Sequence, residues 1–205
     1  MLKKIHKVTA SEFVAERHYS AVMPSLTKIF LGYFMSGEMV GVITFGWGTR
    51  PKHTIQKLFP ELDTKDYYEI GKMCMDDVMP RNSESQMLSM AVKWLRENTD
   101  IKYLFTWADG IVGKPGYVYQ AANFLYGGYI TTDLYISKGG EKVHPRTAQG
   151  IMNEKDGFDV GRRPDRAFLI KHEWSHYRGK QFRYLYFMCN RRNKNVSTNP
   201  SKIII

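Results

Sequence analysis

Only two cysteines, Cys74 and Cys189, occur in 205 residues, far apart and without C-x-x-C spacing. That excludes a disulfide framework and a four-cysteine zinc site, and it suits a reducing compartment. No apolar run approaches the roughly twenty residues that a membrane helix needs. The opening "MLKKIHKVTASEF" also lacks the apolar block of a secretion signal. A soluble cytoplasmic protein with no membrane partner is expected. No internal repeat is visible. Acidic charge is scarce, with twenty Asp and Glu against thirty Lys and Arg, a net charge of +10. Such a surplus attracts polyanions, nucleic acid first, although a generic basic surface has the same composition. The 43% of hydrophobic residues is enough for a substantial core, and this length suits one domain.

Periodicity divides the chain. "TASEFVAERHY" (9–19) starts with capping residues and spaces Ala10, Phe13 and Val14 as a short amphipathic helix would, leaving His18 and Tyr19 at its end. Residues 28–48 read as a hairpin turning at Ser36-Gly37-Glu38. Residues 49–65 read as a loop with one short helix at "TIQKLF" (54–59). A strand is expected at 66–75. A helix then opens at Asn82 or Ser83, with Met87, Leu88, Ala91, Val92 and Leu95 as its apolar stripe. Residues 101–108 read as a buried strand, Tyr117 to Tyr126 as a helix stopped by Gly127 and Gly128, and "YITTDLYIS" as a strand. Residues 138–165 are expected to be an irregular insertion. "RAFLI" is expected to be a strand, followed by a turn and a last strand at 182–188. The polar segment 193–205 is expected to be a flexible tail whose Ile203 to Ile205 could dock. The pattern predicts an α/β fold with one mixed sheet over residues 1–192.

Three constellations carry candidate chemistry. "HEWSH" (172–176) matches the H-E-x-x-H zinc pattern, but that motif needs a helix to project both imidazoles, and the flanks predict a strand and a turn. A polar turn is the better reading. "RNSES" (81–85) places Arg81, Asn82, Ser83 and Ser85 at a helix start after a strand, where backbone N–H groups favour an anion. It equally fits an ordinary cap, since Glu84 repels phosphate and a cradle's glycines are missing. On a helix from Tyr117 to Tyr126, Tyr119, Asn123 and Tyr126 would share a face offering a phenol, an amide and stacking rings. A tyrosine-rich packing helix has the same pattern.

The order strand, polar-capped helix, strand, tyrosine-bearing helix, strand resembles the GCN5-related N-acetyltransferase core. "RHYS", "FGWGTRP", "EIGKMCMDDVMPRNSES", "FTWADGIVGKPGYVYQAANFLYGGY" and "KQFRYLYF" resemble the Mom-type phage DNA-modification proteins, from about His18 to Phe187. The resemblance implies a single, mostly antiparallel mixed sheet with a central splay flanked by helices. It implies a transferase that places a carbamoylmethyl group on the exocyclic amine of adenine in double-stranded DNA and so blocks host restriction, in the cytoplasm of an infected bacterium. It implies catalytic roles for His18, Tyr19, Asp109 and Tyr119, with Tyr119 first for proton transfer. Arg81, Asn82, Ser83 and Ser85 would line the donor side, and Asn123, Tyr126, Lys72 and Lys114 the substrate side. Lys72 stands where an arginine is expected and Lys114 where a histidine is expected. The donor is a small molecule, for which acetyl coenzyme A or a relative is one option. A metal ion would fit if His18, Asp109 and the tyrosines converge, but no spacing demands one. Two alternatives are an acyltransferase acting on a protein, metabolite or aminoacyl-tRNA amine, and a non-catalytic basic DNA-binding module.

Overall fold

The protein is described by a computed structural model over residues 1–48, 63–156 and 163–188. The expected short helix at 54–59, Arg162, Cys189 and the tail at 193–205 lie outside the described residues. Among the described residues eight strands form one sheet in the order β1-β2-β3-β4-β5-β8-β6-β7. Its first half is built from β1 (Leu2–Lys4), β2 (Thr27–Met35), β3 (Glu38–Gly46) and β4 (Tyr67–Met75), all antiparallel. The β2–β3 hairpin turns at Ser36 and Gly37, both with positive φ (49° and 91°), the conformation that a two-residue turn between twisted strands demands.

Alternation along these strands feeds two helix layers. Helix α1 (Lys7–Arg17) buries Ala10, Phe13 and Val14 against Phe30, Val42 and Cys74. Helix α2 (Ser83–Asn98) covers the opposite face and buries the predicted stripe of Met87, Leu88, Ala91, Val92 and Leu95 against Leu31, Ile43 and Phe45. The fully buried Leu31, Ile43, Leu88 and Leu95 each contribute about 1.5–3 kcal/mol of transfer free energy. Among the described residues, no helix is long and apolar enough to cross a membrane.

The middle of the sheet positions the site. β4 and β5 (Tyr103–Ala108) are parallel and pair only where Tyr67–Glu69 meet Tyr103–Phe105. Beyond that point β4 stays with β3 as far as Met75, whereas β5 stays with β8 as far as Ala108. The two strands part, and the sheet opens in its centre.

Several expectations are corrected. Helix α3 spans only Tyr117–Ala121, and β6 (Leu125–Ile136) begins where a helix is expected to continue. The reason is Asn123, which takes the left-handed conformation at φ 62°. Its N–H donates to Gln120 O (3.0 Å) while Phe124 N–H donates to Tyr119 O (2.9 Å), the paired bonds of a Schellman helix end. Gly127 and Gly128 instead form a bulge in β6 between Tyr126 and Tyr129. The expected irregular insertion contains β7 (Lys142–Val143) and helix α4 (Pro145–Asp156), which starts on a proline suited to the first helical turn and buries Ala148 and Met152. "RAFLI" lies in helix α5 (Arg166–Lys171), capped by the Asp165 carboxylate, which accepts the Phe168 N–H at 2.9 Å. The last strand, β8 (Ser175–Phe187), is longer than expected because it pairs with β5 from Phe182 to Phe187 and with β6 from Ser175 to Leu185.

Candidate active site

A cavity of about 770 Å³ fills the splay. β4 supplies Glu69 and Lys72, and the end of β5 supplies Trp107 and Asp109. The segment after α1 supplies His18, Tyr19 and Ser20, and the turn into α3 supplies Lys114 and Tyr119. Six of the residues singled out by sequence, His18, Tyr19, Lys72, Asp109, Lys114 and Tyr119, therefore share one cavity although they span about a hundred positions of chain.

Ser20 joins two of them. Its N–H donates to His18 Nδ1 (3.0 Å), while its carbonyl and hydroxyl oxygens accept from Lys72 Nζ (2.5 and 2.9 Å). Burial, with the nearby charges of Lys72 and then Lys114, pushes the His18 pKa down to about 4. The imidazole is neutral at pH 7, and its Nδ1 also lies 3.1 Å from the Ser20 carbonyl oxygen, so the Ser20 backbone can serve either tautomer. His18 thus enters the cavity wall as a neutral imidazole. Its ring stacks on Tyr19 at 4.7 Å, and Lys114 Nζ lies 5.5 Å from the centre of the Tyr19 ring.

On the opposite wall, burial raises the Asp109 pKa, although a hydrogen bond from Gln181 Nε2 and the charge of Lys114 oppose the rise. Burial likewise pushes the Tyr119 phenol up to about 12. The neighbouring Thr106 hydroxyl offsets part of that shift but does not reach hydrogen-bonding geometry and stands buried without a partner. The Tyr119 ring is fixed against Phe124 and Tyr184, both at 5.6 Å. The cavity therefore pairs a carboxylate made more basic with a phenol held protonated, the combination that acid–base transfer uses.

Other expected residues lie elsewhere. Of the turn into α2, Glu84 lines the cavity, while Arg81, Asn82, Ser83 and Ser85 do not. Asn82 caps the helix backbone at φ 72°, and Ser83 is buried with its N–H bonded to Pro80 O at 3.2 Å. Asn123 is the stop of α3, and Tyr126 lines a separate cleft. In "HEWSH", His172 caps the end of α5, Glu173 takes φ 56° and pairs with Lys138, and His176 lies in β8 bonded to Asp133 at 2.9 Å. No helix spans the two histidines. Among the described residues no group of three or more His, Cys, Asp or Glu is placed to hold a metal ion. Sequence reasoning missed Ser20, Glu69, Trp107, His144, Arg163 and Gln181 as lining residues. Ser20 is adjacent to the "RHY" already singled out, but Gln181 reaches Asp109 only because β8 lies beside β5.

A mixed sheet that splays after one short parallel pairing, with a helix following the first of those strands, is the GCN5-related acyltransferase fold. Within that class the chain belongs to the Mom protein family, which it matches over residues 1–203. It is 30% identical over 197 residues to the methylcarbamoylase mom of Escherichia phage Mu, covering 95% of this chain and 78% of that one. Solved structures are more distantly similar. An aminoglycoside 6'-acetyltransferase type Ii is 9% identical with a TM-score of 0.49, covering 93% of this chain and 99% of that one. An N-acetyltransferase from Staphylococcus aureus is 9% identical with a TM-score of 0.47, covering 93% and 98%.

Proposed function

We propose that this protein is a phage DNA-modification transferase that substitutes the exocyclic amine of adenine in double-stranded DNA, by carbamoylmethylation, and so shields phage DNA from host restriction endonucleases. Membership of the Mom family across nearly the whole chain carries this reading. That six singled-out residues line one cavity at the splay supports placing the chemistry there. The net charge of +10 supports affinity for the phosphate backbone. An adenine within a duplex cannot reach a cavity between two strands, so the base swings out of the stack. The enzyme works in the cytoplasm of the infected cell.

In this reading Tyr19 stacks on the extruded base, and His18 presents a neutral imidazole that hydrogen-bonds the base or the transferred carboxamide. As the amine nitrogen forms its bond to the methylene carbon, Asp109 accepts the proton that the amine loses. Tyr119 donates to the departing group. Burial keeps His18 neutral, and the charge of Lys72, held by Ser20, adds to it. The donor is a small molecule. The turn before α2 does not by itself call for the pyrophosphate of coenzyme A: it has no glycine cradle, its Ser83 N–H is already bonded, and the side chain it sends to the cavity is Glu84. An acyltransferase acting on a different amine fits the family less well.

Plasmid DNA from bacteria expressing the protein tests the reading. It should resist endonucleases whose sites contain adenine, while DNA from cells carrying an empty vector is cut. Equal cutting of the two would contradict it.

A further inference from the structure

A second cleft, of about 340 Å³, shares Pro115 with the first and is otherwise lined by Gln120, Phe124, Tyr126, Phe182 and Tyr184. Four rings, a proline and one amide form its walls, and among the described residues no charged side chain lines it. Tyr126 is 51% exposed, its ring 6.2 Å from Phe182 at 57° and 5.9 Å from Tyr184 at 60°. It stands as an open wall of the cleft and does not close flat on either neighbour. The polar atoms are ordered: Gln120 Nε2 donates to Tyr184 Oη (2.8 Å), which donates to Pro115 O (2.6 Å). That chain leaves Gln120 Oε1 as an acceptor.

Aromatic walls, one amide and no charge select a planar, uncharged heterocycle with a donor on its edge. A nucleobase has these properties; a phosphate has none of them. Lys114, next to Pro115 in the chain, lines the first cavity. The two cavities also have a common partition, because Tyr119 lines the first and packs on Phe124 and Tyr184 of the second. We propose that this cleft is a base-stacking subsite that takes the nucleobase next to the target adenine on the same strand. The proposal rests on the DNA-modification reading and adds that base context is selected here.

The test compares wild-type protein with Tyr126→Ala and with Tyr126→Phe, which restores the ring. Two quantities are measured: the dissociation constant for a single-stranded oligonucleotide containing adenine, and the bases neighbouring modified adenines in plasmid DNA from expressing cells. Loss of one stacking ring should weaken binding by about tenfold and broaden the neighbouring-base preference, and Tyr126→Phe should recover both. Phe182→Leu, on the facing wall, should act in the same direction as Tyr126→Ala. Wild-type affinity in Tyr126→Ala together with an unchanged context preference would overturn the subsite. If wild-type protein modifies no adenine, the functional reading fails separately, and the oligonucleotide affinities alone decide the cleft: a tenfold loss supports it and equality overturns it.

Discussion

Tyr119 reaches the cavity with its phenol protonated and its ring locked between Phe124 and Tyr184, so its hydroxyl and its ring can be separated by mutation. Tyr119→Phe keeps the ring contacts and removes the proton. It should melt within a few degrees of wild type and lower the modified-adenine fraction by about a hundredfold, the lower range for a general acid. A large fall in melting temperature with little loss of modification in the folded protein would instead make Tyr119 a packing residue. His18 offers a second check. With its pKa at about 4, the folded imidazole stays neutral while the unfolded one gains a proton near pH 6.5. Wild-type stability should therefore decline as pH falls from about 6.5 to about 4, and this part of the decline should vanish in His18→Asn. An NMR titration of the His18 ring with a midpoint near 6.5 would contradict the desolvated, Ser20-bonded site.

Elements were legible where their signals were local. The α2 stripe, the Ser36-Gly37 turn and the strands on either side of the splay follow from periodicity and turn chemistry. The short α3 was misread because Asn123 can either continue a helix or stop it in the left-handed form, and only the paired bonds to Gln120 and Tyr119 decide. Helices α4 and α5 had their own signals, Pro145 with Ala148, Ile151 and Met152, and Asp165 as a cap, obscured by Gly150 and by a run of charged residues. The candidate cavity was legible as motifs, since "RHYS", "ADG" and "GYVY" each contribute wall residues, but Gln181 arrives on β8 and Arg163 through its ion pair with Asp133 of β6, strands which no local pattern joins. One such long-range device is Asp133, a carboxylate only 5% exposed that accepts from Arg163 and from His176, and lies 3.6 Å from Arg178. Burial opposes its ionisation, but His176, Arg163 and Arg178 together hold its pKa below the usual carboxylate range. A depressed pKa stabilises the fold above the unfolded value and is lost as pH falls through the folded one. Asp133→Asn should therefore melt lower than wild type at pH 7, and the gap should narrow below about pH 4. A gap independent of pH would remove the ionic explanation.

The whole chain couples a basic exterior to a cavity opened by the sheet itself, and each half makes its own demand. The net charge of +10 requires that duplex affinity fall steeply with salt, because each phosphate neutralised releases a counterion. Arg163, at the cavity wall and 71% exposed, should contribute to this. Arg163→Ala should weaken binding to all sequences alike and flatten the logarithmic salt slope by about one unit. In the proposed function the splay receives a single extruded base. The most direct measurement is mass spectrometry of nucleosides digested from plasmid DNA of cells expressing the wild-type protein. It should reveal a new deoxyadenosine species heavier by one carbamoylmethyl substituent on the exocyclic nitrogen, strongly reduced in Tyr119→Phe. A nucleoside profile identical to that of cells lacking the protein, from a protein shown to be folded and expressed, would contradict the assignment of this cavity to adenine modification.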